Sequence, residues 1–251
     1  MKRPARVGVF GGTFDPVHAG HIKAAEDVRR RFGLDRVLFV PANIPPHKAR
    51  AGTAPARDRM AMVELALRGR RRLVPSALEV RAGGTSYSIR TLRRVKRLFP
   101  GARVFFIVGA DAFLEIETWK DWRTLLDEGL FIVVTRPGAS LRAARRAPGE
   151  AYAGRTRAVR RGERIAEDAF SPGRIFLLPI EALPVSATDI RARIRAGRSI
   201  AGLVPASVAR YIRERDLYGG GPGFRPGLKF RRTPPRLSSA EECRHQNFTR
   251  G

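Results

Sequence analysis

Short apolar runs without polar alternation recur along the chain, each followed by a stretch with helical spacing. Arg6–Phe10 (RVGVF), Arg36–Val40 (RVLFV), Arg103–Val108 (RVFFIV), Leu130–Thr135 (LFIVVT) and Arg174–Leu178 (RIFLL) read as strands, and Arg72–Leu78 as one more. An unbroken apolar strand is covered on both faces, which is the pattern of parallel sheets flanked by helices. Between the strands, apolar residues return at three- and four-residue steps. Ile22, Ala25, Val28 and Phe32 predict a helix over 18–32; Met60, Val63 and Leu67 predict one over 56–68. Ile89, Leu92, Val95 and Leu98 predict a third over 88–99, and two more at about 186–196 and 205–215 close the fold. This alternation demands right-handed crossovers, so the predicted fold is α/β: a Rossmann-like doubly wound parallel sheet with helices on both faces. Such sheets bind ligands beyond the carboxyl ends of their strands. Gly11, Asn43, Gly109 and Arg136 follow strands one, two, four and five, so they fall at that end.

The predicted domain spans 5–218. Residues 219–251 open Gly-Gly-Gly-Pro-Gly and carry further prolines and arginines, a basic tail expected to be disordered. Residues 139–172, rich in Arg, Ala and Gly, are expected to be a mobile connection or a loose helix pair. At 43% hydrophobic the chain can bury a core. Its single cysteine, Cys243, rules out a disulfide framework and fits a reducing cytosol. The apolar run at the N-terminus is too short for a signal peptide, and none approaches a membrane span, so the expectation is a cytoplasmic protein with no membrane partner. The formal charge of +26 raises nucleic acid as a competing partner. The arginines are scattered, however, and not interleaved with aromatics, so solvated faces explain them and no specific nucleic acid is expected. A steep salt dependence of duplex binding would favour the other reading. A homo-oligomer stays open.

Residues 10–21, FGGTFDPVHAGH, hold two of the four histidines. Gly11 and Gly12 after a strand permit a tight turn and close approach of backbone N–H groups to an anion. Pro16 suits the first turn of a helix beginning near Val17–His18. His18 and His21, at i and i+3, then share one face beside the helix N-terminus, where free N–H groups and the dipole attract phosphate. Neither the P-loop pattern nor G-x-G-x-x-G is present. An i,i+3 His pair without a third ligand is poor zinc spacing, so no metal residue is expected.

The stretch resembles the G-[GS]-[TS]-F-D-P-x-H-x-G-H signature of the nucleotidylyltransferases. A second motif of that superfamily, I-S-[SA]-T-x-I-R, is matched about 165 residues later by Val185-Ser186-Ala187-Thr188-Asp189-Ile190-Arg191, with Val for Ile. No K-M-S-K-S-like segment accompanies them, which argues against the class I aminoacyl-tRNA synthetases. Ser186 or Thr188 can cap the helix bearing Arg191, whose fork suits a triphosphate better than a Lys point charge.

Over residues 5–218 the intervening segments resemble nicotinate mononucleotide adenylyltransferase. They are Pro41-Ala42-Asn43-Ile44-Pro45-Pro46-His47-Lys48, Thr85-Ser86-Tyr87-Ser88, Gly109-Ala110-Asp111 with Trp119 and Trp122, Arg136-Pro137-Gly138, and the ending through Tyr218. Phosphopantetheine adenylyltransferases are shorter and lack the Pro-Pro-His-Lys and tryptophan segments. The resemblance implies adenylyl transfer from ATP to nicotinate mononucleotide, with Mg²⁺ carried on the ATP phosphates. It implies that His18, His21 and Arg191 hold the triphosphate, with backbone at Gly11, Gly12 and Thr13. Gly109, Asp111 and Ser186, Thr188 and Ile190 would serve adenosine and phosphates. Asn43, His47, Lys48, Thr85, Tyr87, Trp119 and Arg136 would bind the mononucleotide, Trp119 stacking on the pyridine ring. No Asp or Glu lies within Thr85–Tyr87 to accept from an amide, so the acid form of the substrate is expected.

Overall fold

The computed structural model describes residues 3–46, 52–135, 140–160, 162–163, 165–181 and 183–219. The chain runs β1 (Arg6–Gly12), α1 (Ala19–Phe32), β2 (Arg36–Pro41), α2 (Ala56–Leu67), β3 (Leu73–Pro75), α3 (Leu78–Ala82), α4 (Ser88–Leu98) and β4 (Arg103–Gly109). It continues α5 (Ala110–Phe113), α6 (Trp122–Glu128), β5 (Leu130–Thr135), α7 (Leu141–Arg146), β6 (Thr156–Ala158), β7 (Ile175–Pro179), α8 (Ala187–Arg195) and α9 (Ala206–Glu214). Short 3₁₀ turns at Ile116–Thr118, Glu150–Arg155 and Glu167–Ala169 fill connections.

The strands form one parallel sheet in the order β3-β2-β1-β4-β5-β7-β6. Successive residues point to opposite faces. Phe105 and Ile107 of β4 join α1, α2, α8 and α9 on one side, while Val104, Phe106 and Val108 join α4, α5 and α6 on the other. Burying a large aliphatic side chain on either face stabilises by about 1.5–3 kcal/mol, which is why all-apolar strands are held here and not at an open edge. The strand order reverses between β1 and β4, so the carboxyl ends of these two strands flank a crevice.

Several expectations need correction. The third strand is only three residues long, and residues 78–82 are helical. Pro75 is tolerated because this is an edge strand: its missing N–H faces away from β2, and the Ser76 N–H after it still donates to the Phe39 carbonyl at 2.9 Å. The 139–172 region holds α7 and β6, and β6 adds an edge strand to β7 (Thr156↔Ile175). Pro16 lies in the turn ahead of α1 and not in its first turn; His18 is the N-cap. Gly11 and Gly12 do not themselves form the tight turn. They stay extended in β1, and Phe14 takes the left-handed backbone at φ 50°. Apart from Gly219, the 219–251 tail lies outside the described residues.

Candidate active site

A cavity of about 480 Å³ opens over the crevice between β1 and β4. Gly11, Gly12, Thr13, His18 and His21 form one wall, Gly109 and Asp111 another, and Thr188 and Arg191 of α8 a third. Gly12 matters through its missing side chain, since a Cβ there would stand 3.3 Å from the Phe14 ring, whereas one on Gly11 would only touch Phe106 at an ordinary 3.5 Å.

His18 is buried at the N-cap of α1, and His21 is the third residue of the helix. Their rings stack with centroids 3.7 Å apart, and Phe14 meets His21 edge-on at 5.0 Å. The His18 backbone N–H donates to His21 Nδ1 at 3.2 Å. This leaves the ring proton of His21 on Nε2, the nitrogen able to donate to a ligand. Gly20 is required by close approach: a Cβ there would sit 3.0 Å from Val185 and 3.1 Å from His18 Nδ1. The glycine between the two histidines therefore lets the start of α1 pack against the residue leading into α8.

Ser186 caps α8 by accepting from the Asp189 N–H at 3.0 Å. Arg191 follows one turn later. Its guanidinium donates to the Asp15 carbonyl at 2.6 Å and to Thr188 Oγ1 at 3.4 Å. Arg195, a further turn along the same face, also lines the cavity, whereas Arg193 turns away to pair with Asp189 at 2.9 Å. Ile190 is fully buried and anchors α8 in the core; neither it nor Ser186 lines the cavity.

Asn43, Thr85, Tyr87 and Trp119 also stand outside the cavity lining and gather in a neighbouring cluster. The Asn43 N–H donates to Ser86 Oγ at 2.8 Å, and its side-chain amide to the Gly84 carbonyl at 2.9 Å. Ile44 bridges to Thr85, Tyr87 is the N-cap of α4, and half-buried Trp119 meets Phe106 edge-on. His47, Lys48 and Arg136 lie outside the described residues.

Four groups at the site carry no assignment from sequence. Glu79 sits beneath this cluster, accepting from the Ser86 and Thr91 hydroxyls. Burial pushes its carboxyl above the usual range, against the opposing pull of those hydroxyls and of Arg59. Arg59 is almost fully buried and donates to three backbone carbonyls: Ala54 at 2.9 Å, Thr13 at 2.8 Å and Asn43 at 2.9 Å. Burial lowers its pKa, opposed chiefly by the Asp15 charge. Asp15 is buried behind the histidine turn, and Arg195 faces the cavity. Asp15 stands inside the FGGTFDPVHAGH stretch, so a signal existed. Arg59 had none, because one buried Arg among many exposed ones has no distinct sequence pattern. Among the described residues, no group of three or more His, Cys, Asp or Glu could hold a metal ion, and no helix is long and apolar enough to cross a membrane.

The cytidylyltransferase-like family profile matches residues 9–193. A protein of Desulfatibacillum aliphaticivorans named "Probable nicotinate-nucleotide adenylyltransferase" is 41% identical over 226 residues, covering 85% of this chain and 99% of its own. One of the same name from Symbiobacterium thermophilum is 42% identical over 214 residues, covering 85% and 95%. Among solved structures, Plasmodium falciparum nicotinic acid mononucleotide adenylyltransferase complexed with NaAD is similar with TM-score 0.63. The similarity covers 85% of this chain and 97% of that one, at 16% identity, and speaks to the fold alone.

Proposed function

Because this chain belongs to the nicotinate-nucleotide adenylyltransferases of the cytidylyltransferase-like family, we propose that it transfers the adenylyl group of ATP to nicotinate mononucleotide, giving deamido-NAD and pyrophosphate in NAD biosynthesis. A 5′-phosphate oxygen of the mononucleotide attacks the α-phosphorus of ATP. The bond from that phosphorus to the bridging oxygen breaks, and pyrophosphate leaves with the electron pair. The nucleophile is already an anion, so the protein needs no covalent group and no strong base. Its task is positioning and stabilisation of developing negative charge.

Each side chain has a part in that task. His21 donates from Nε2, and His18 lies against it at the N-terminus of α1, where the helix dipole favours an anion. Arg191 offers a fork from the opposite wall. Gly11, Gly12 and Thr13 bring backbone close to the reacting phosphates. Asp111 accepts from a ribose hydroxyl, and Gly109, Ser186, Thr188 and Ile190 shape the ATP side. Asn43, His47, Lys48, Thr85, Tyr87, Trp119 and Arg136 hold the mononucleotide. Mg²⁺ enters as part of the ATP substrate, needing few protein ligands when it rides on phosphates.

The observation that carries this reading is the convergence of His18, His21 and Arg191, from the two ends of the fold, on one cavity over the β1–β4 crevice. The test is pyrophosphate release with ATP and a panel of nicotinate mononucleotide, nicotinamide mononucleotide and phosphopantetheine. Release with nicotinate mononucleotide, accompanied by deamido-NAD, is the expected result. Release with phosphopantetheine alone would overturn the substrate assignment, and no release with any of the three would overturn the reading.

A further inference from the structure

Asp15 lies at the cavity, yet both faces of its carboxylate are engaged by protein. Oδ1 accepts from the Tyr218 hydroxyl at 2.8 Å and from the Ala54 N–H at 3.1 Å. Oδ2 stands 3.6 Å from the Arg191 guanidinium, which also donates to the Asp15 carbonyl at 2.6 Å. One buried residue thus joins four segments: the turn before His18, the end of the loop leading into α2, the Arg191 helix and the chain just past α9.

The backbone around the pair is unusual. Four non-glycine residues among those described have positive φ, and three of them flank these partners: Phe14 at 50°, Asp216 at 47° and Tyr218 at 76°. Left-handed backbone is costly for such residues and persists only where surrounding structure over-determines it. Here it turns Phe14 aside so that Asp15 faces inward, and it brings the chain after α9 back over the site. Burial, then the adjacent Asp15 charge and hydrogen bond, push the Tyr218 hydroxyl far above its ordinary range, so it remains a donor.

We propose that the Tyr218–Asp15 pair is a positioning latch that aims Arg191 at the phosphates and locks the histidine turn against the end of the α2 loop. Asp15 is not a base or a metal ligand in this scheme: Oδ1 takes two donors, and Oδ2 faces the Arg191 guanidinium at 3.6 Å. Tyr218 never meets substrate. It fixes the carboxylate, and the carboxylate with its own carbonyl fixes the guanidinium. A guanidinium held in advance loses less freedom on binding a triphosphate than one that must be ordered. The inference rests on the adenylyl-transfer reading for its kinetic readout, though not for its geometry.

The test is a double-mutant cycle on the full chain with Tyr218→Phe, Arg191→Ala and the pair, reading kcat, both KM values, melting temperature and calorimetric ATP affinity. Tyr218→Phe should lower kcat about tenfold with the mononucleotide KM nearly unchanged, and lower the melting temperature by roughly a few degrees, because a buried carboxylate loses a donor. In the Arg191→Ala background the same change should cost less than about twofold, because the group it acts through is gone. Parent-like turnover in Tyr218→Phe, or an undiminished loss in the Arg191→Ala background, overturns the latch. If the parent releases no pyrophosphate from any mononucleotide, the functional reading fails. The cycle is then read on ATP affinity, where Tyr218→Phe should weaken binding several-fold with Arg191 present and not without it. Additive or absent effects there also overturn the latch.

Discussion

His18 and His21 show how little sequence a phosphate site needs and how much precision it demands of those residues. The N-cap position, the stacked rings and the His18 N–H to His21 Nδ1 bond place one imidazole proton toward the cavity. His18→Ala or His21→Ala should therefore lose about 10²–10³-fold in kcat, as for a lost oxyanion donor, with smaller changes in KM. Steady-state kinetics of the purified variants check this, and unchanged turnover in both would remove the histidines from the mechanism. Substrate choice is also decided at single residues. Within Thr85–Tyr87 there is no acidic acceptor, but the fold brings Glu79 beneath Ser86. Its oxygens take the Ser86 and Thr91 hydroxyls, so it does not offer an acceptor to an amide. A donor-lined pocket leaves groups unpaired against an amide NH₂, at about 1–3 kcal/mol each. We expect nicotinate mononucleotide to be preferred over nicotinamide mononucleotide by at least about 30-fold in kcat/KM, measured at saturating ATP. A ratio near one would reject the donor-lined pocket while leaving the chemistry intact.

The elements divide the molecule into a binding end and a charged base. Arg6, Arg36 and Arg103 open β1, β2 and β4, while Arg72, Arg155 and Arg174 stand just before β3, β6 and β7. These six arginines therefore lie at the amino ends of the strands, away from the cavity. Several of these residues have local partners: Arg6 and Arg103 pair with Glu167, Arg155 pairs with Asp127, and Arg36 lies over Phe99. Asp35 belongs to the same edge, accepting from Arg3 at 2.7 Å and from the Arg6 N–H at 2.8 Å. Partial burial pushes its carboxyl up, but these hydrogen bonds and the nearby arginines prevail and hold it below the ordinary range. A carboxylate with a lowered folded-state pKa stabilises above its unfolded pKa, and that contribution is lost as pH falls through the folded value. Asp35→Asn should thus lower the melting temperature at neutral pH, and the gap to the parent should close below about pH 4. A gap independent of pH in thermal melts would show that the carboxylate charge contributes nothing.

Across the whole molecule, the site is assembled from segments far apart in the chain, and the last described residues belong to it through Tyr218. This sets a boundary for truncation. Removing residues 220–251 leaves Tyr218 in place, and the tail's composition offers little apolar surface to bury. Activity and melting temperature should be nearly those of the full chain. Ending the chain before Tyr218 should instead cost most of the activity. A drop of many degrees in the first truncation, measured by thermal melt, would show that the tail docks on the domain.

Local pattern sufficed for the strands and their helices. β5 occupies the predicted Leu130–Thr135, because a run buried on both faces can be nothing but apolar, and a helix in register must repeat its apolar stripe. The histidine turn and the Arg191 helix were legible because their working residues sit in short motifs and each helix is capped from within its own motif, by His18 and by Ser186. The three-residue β3, the edge strand β6, the buried Arg59, the carboxylate of Glu79 under Ser86 and the Tyr218–Asp15 bond were decided only by tertiary structure. Edge strands form because a neighbour presents open N–H and C=O groups, and nothing in Thr156–Ala158 announces that β7 will lie beside it. A buried charge is tolerated only where several acceptors converge on it, and the carbonyls of Thr13, Asn43 and Ala54 meet at Arg59 only after three loops have been folded together.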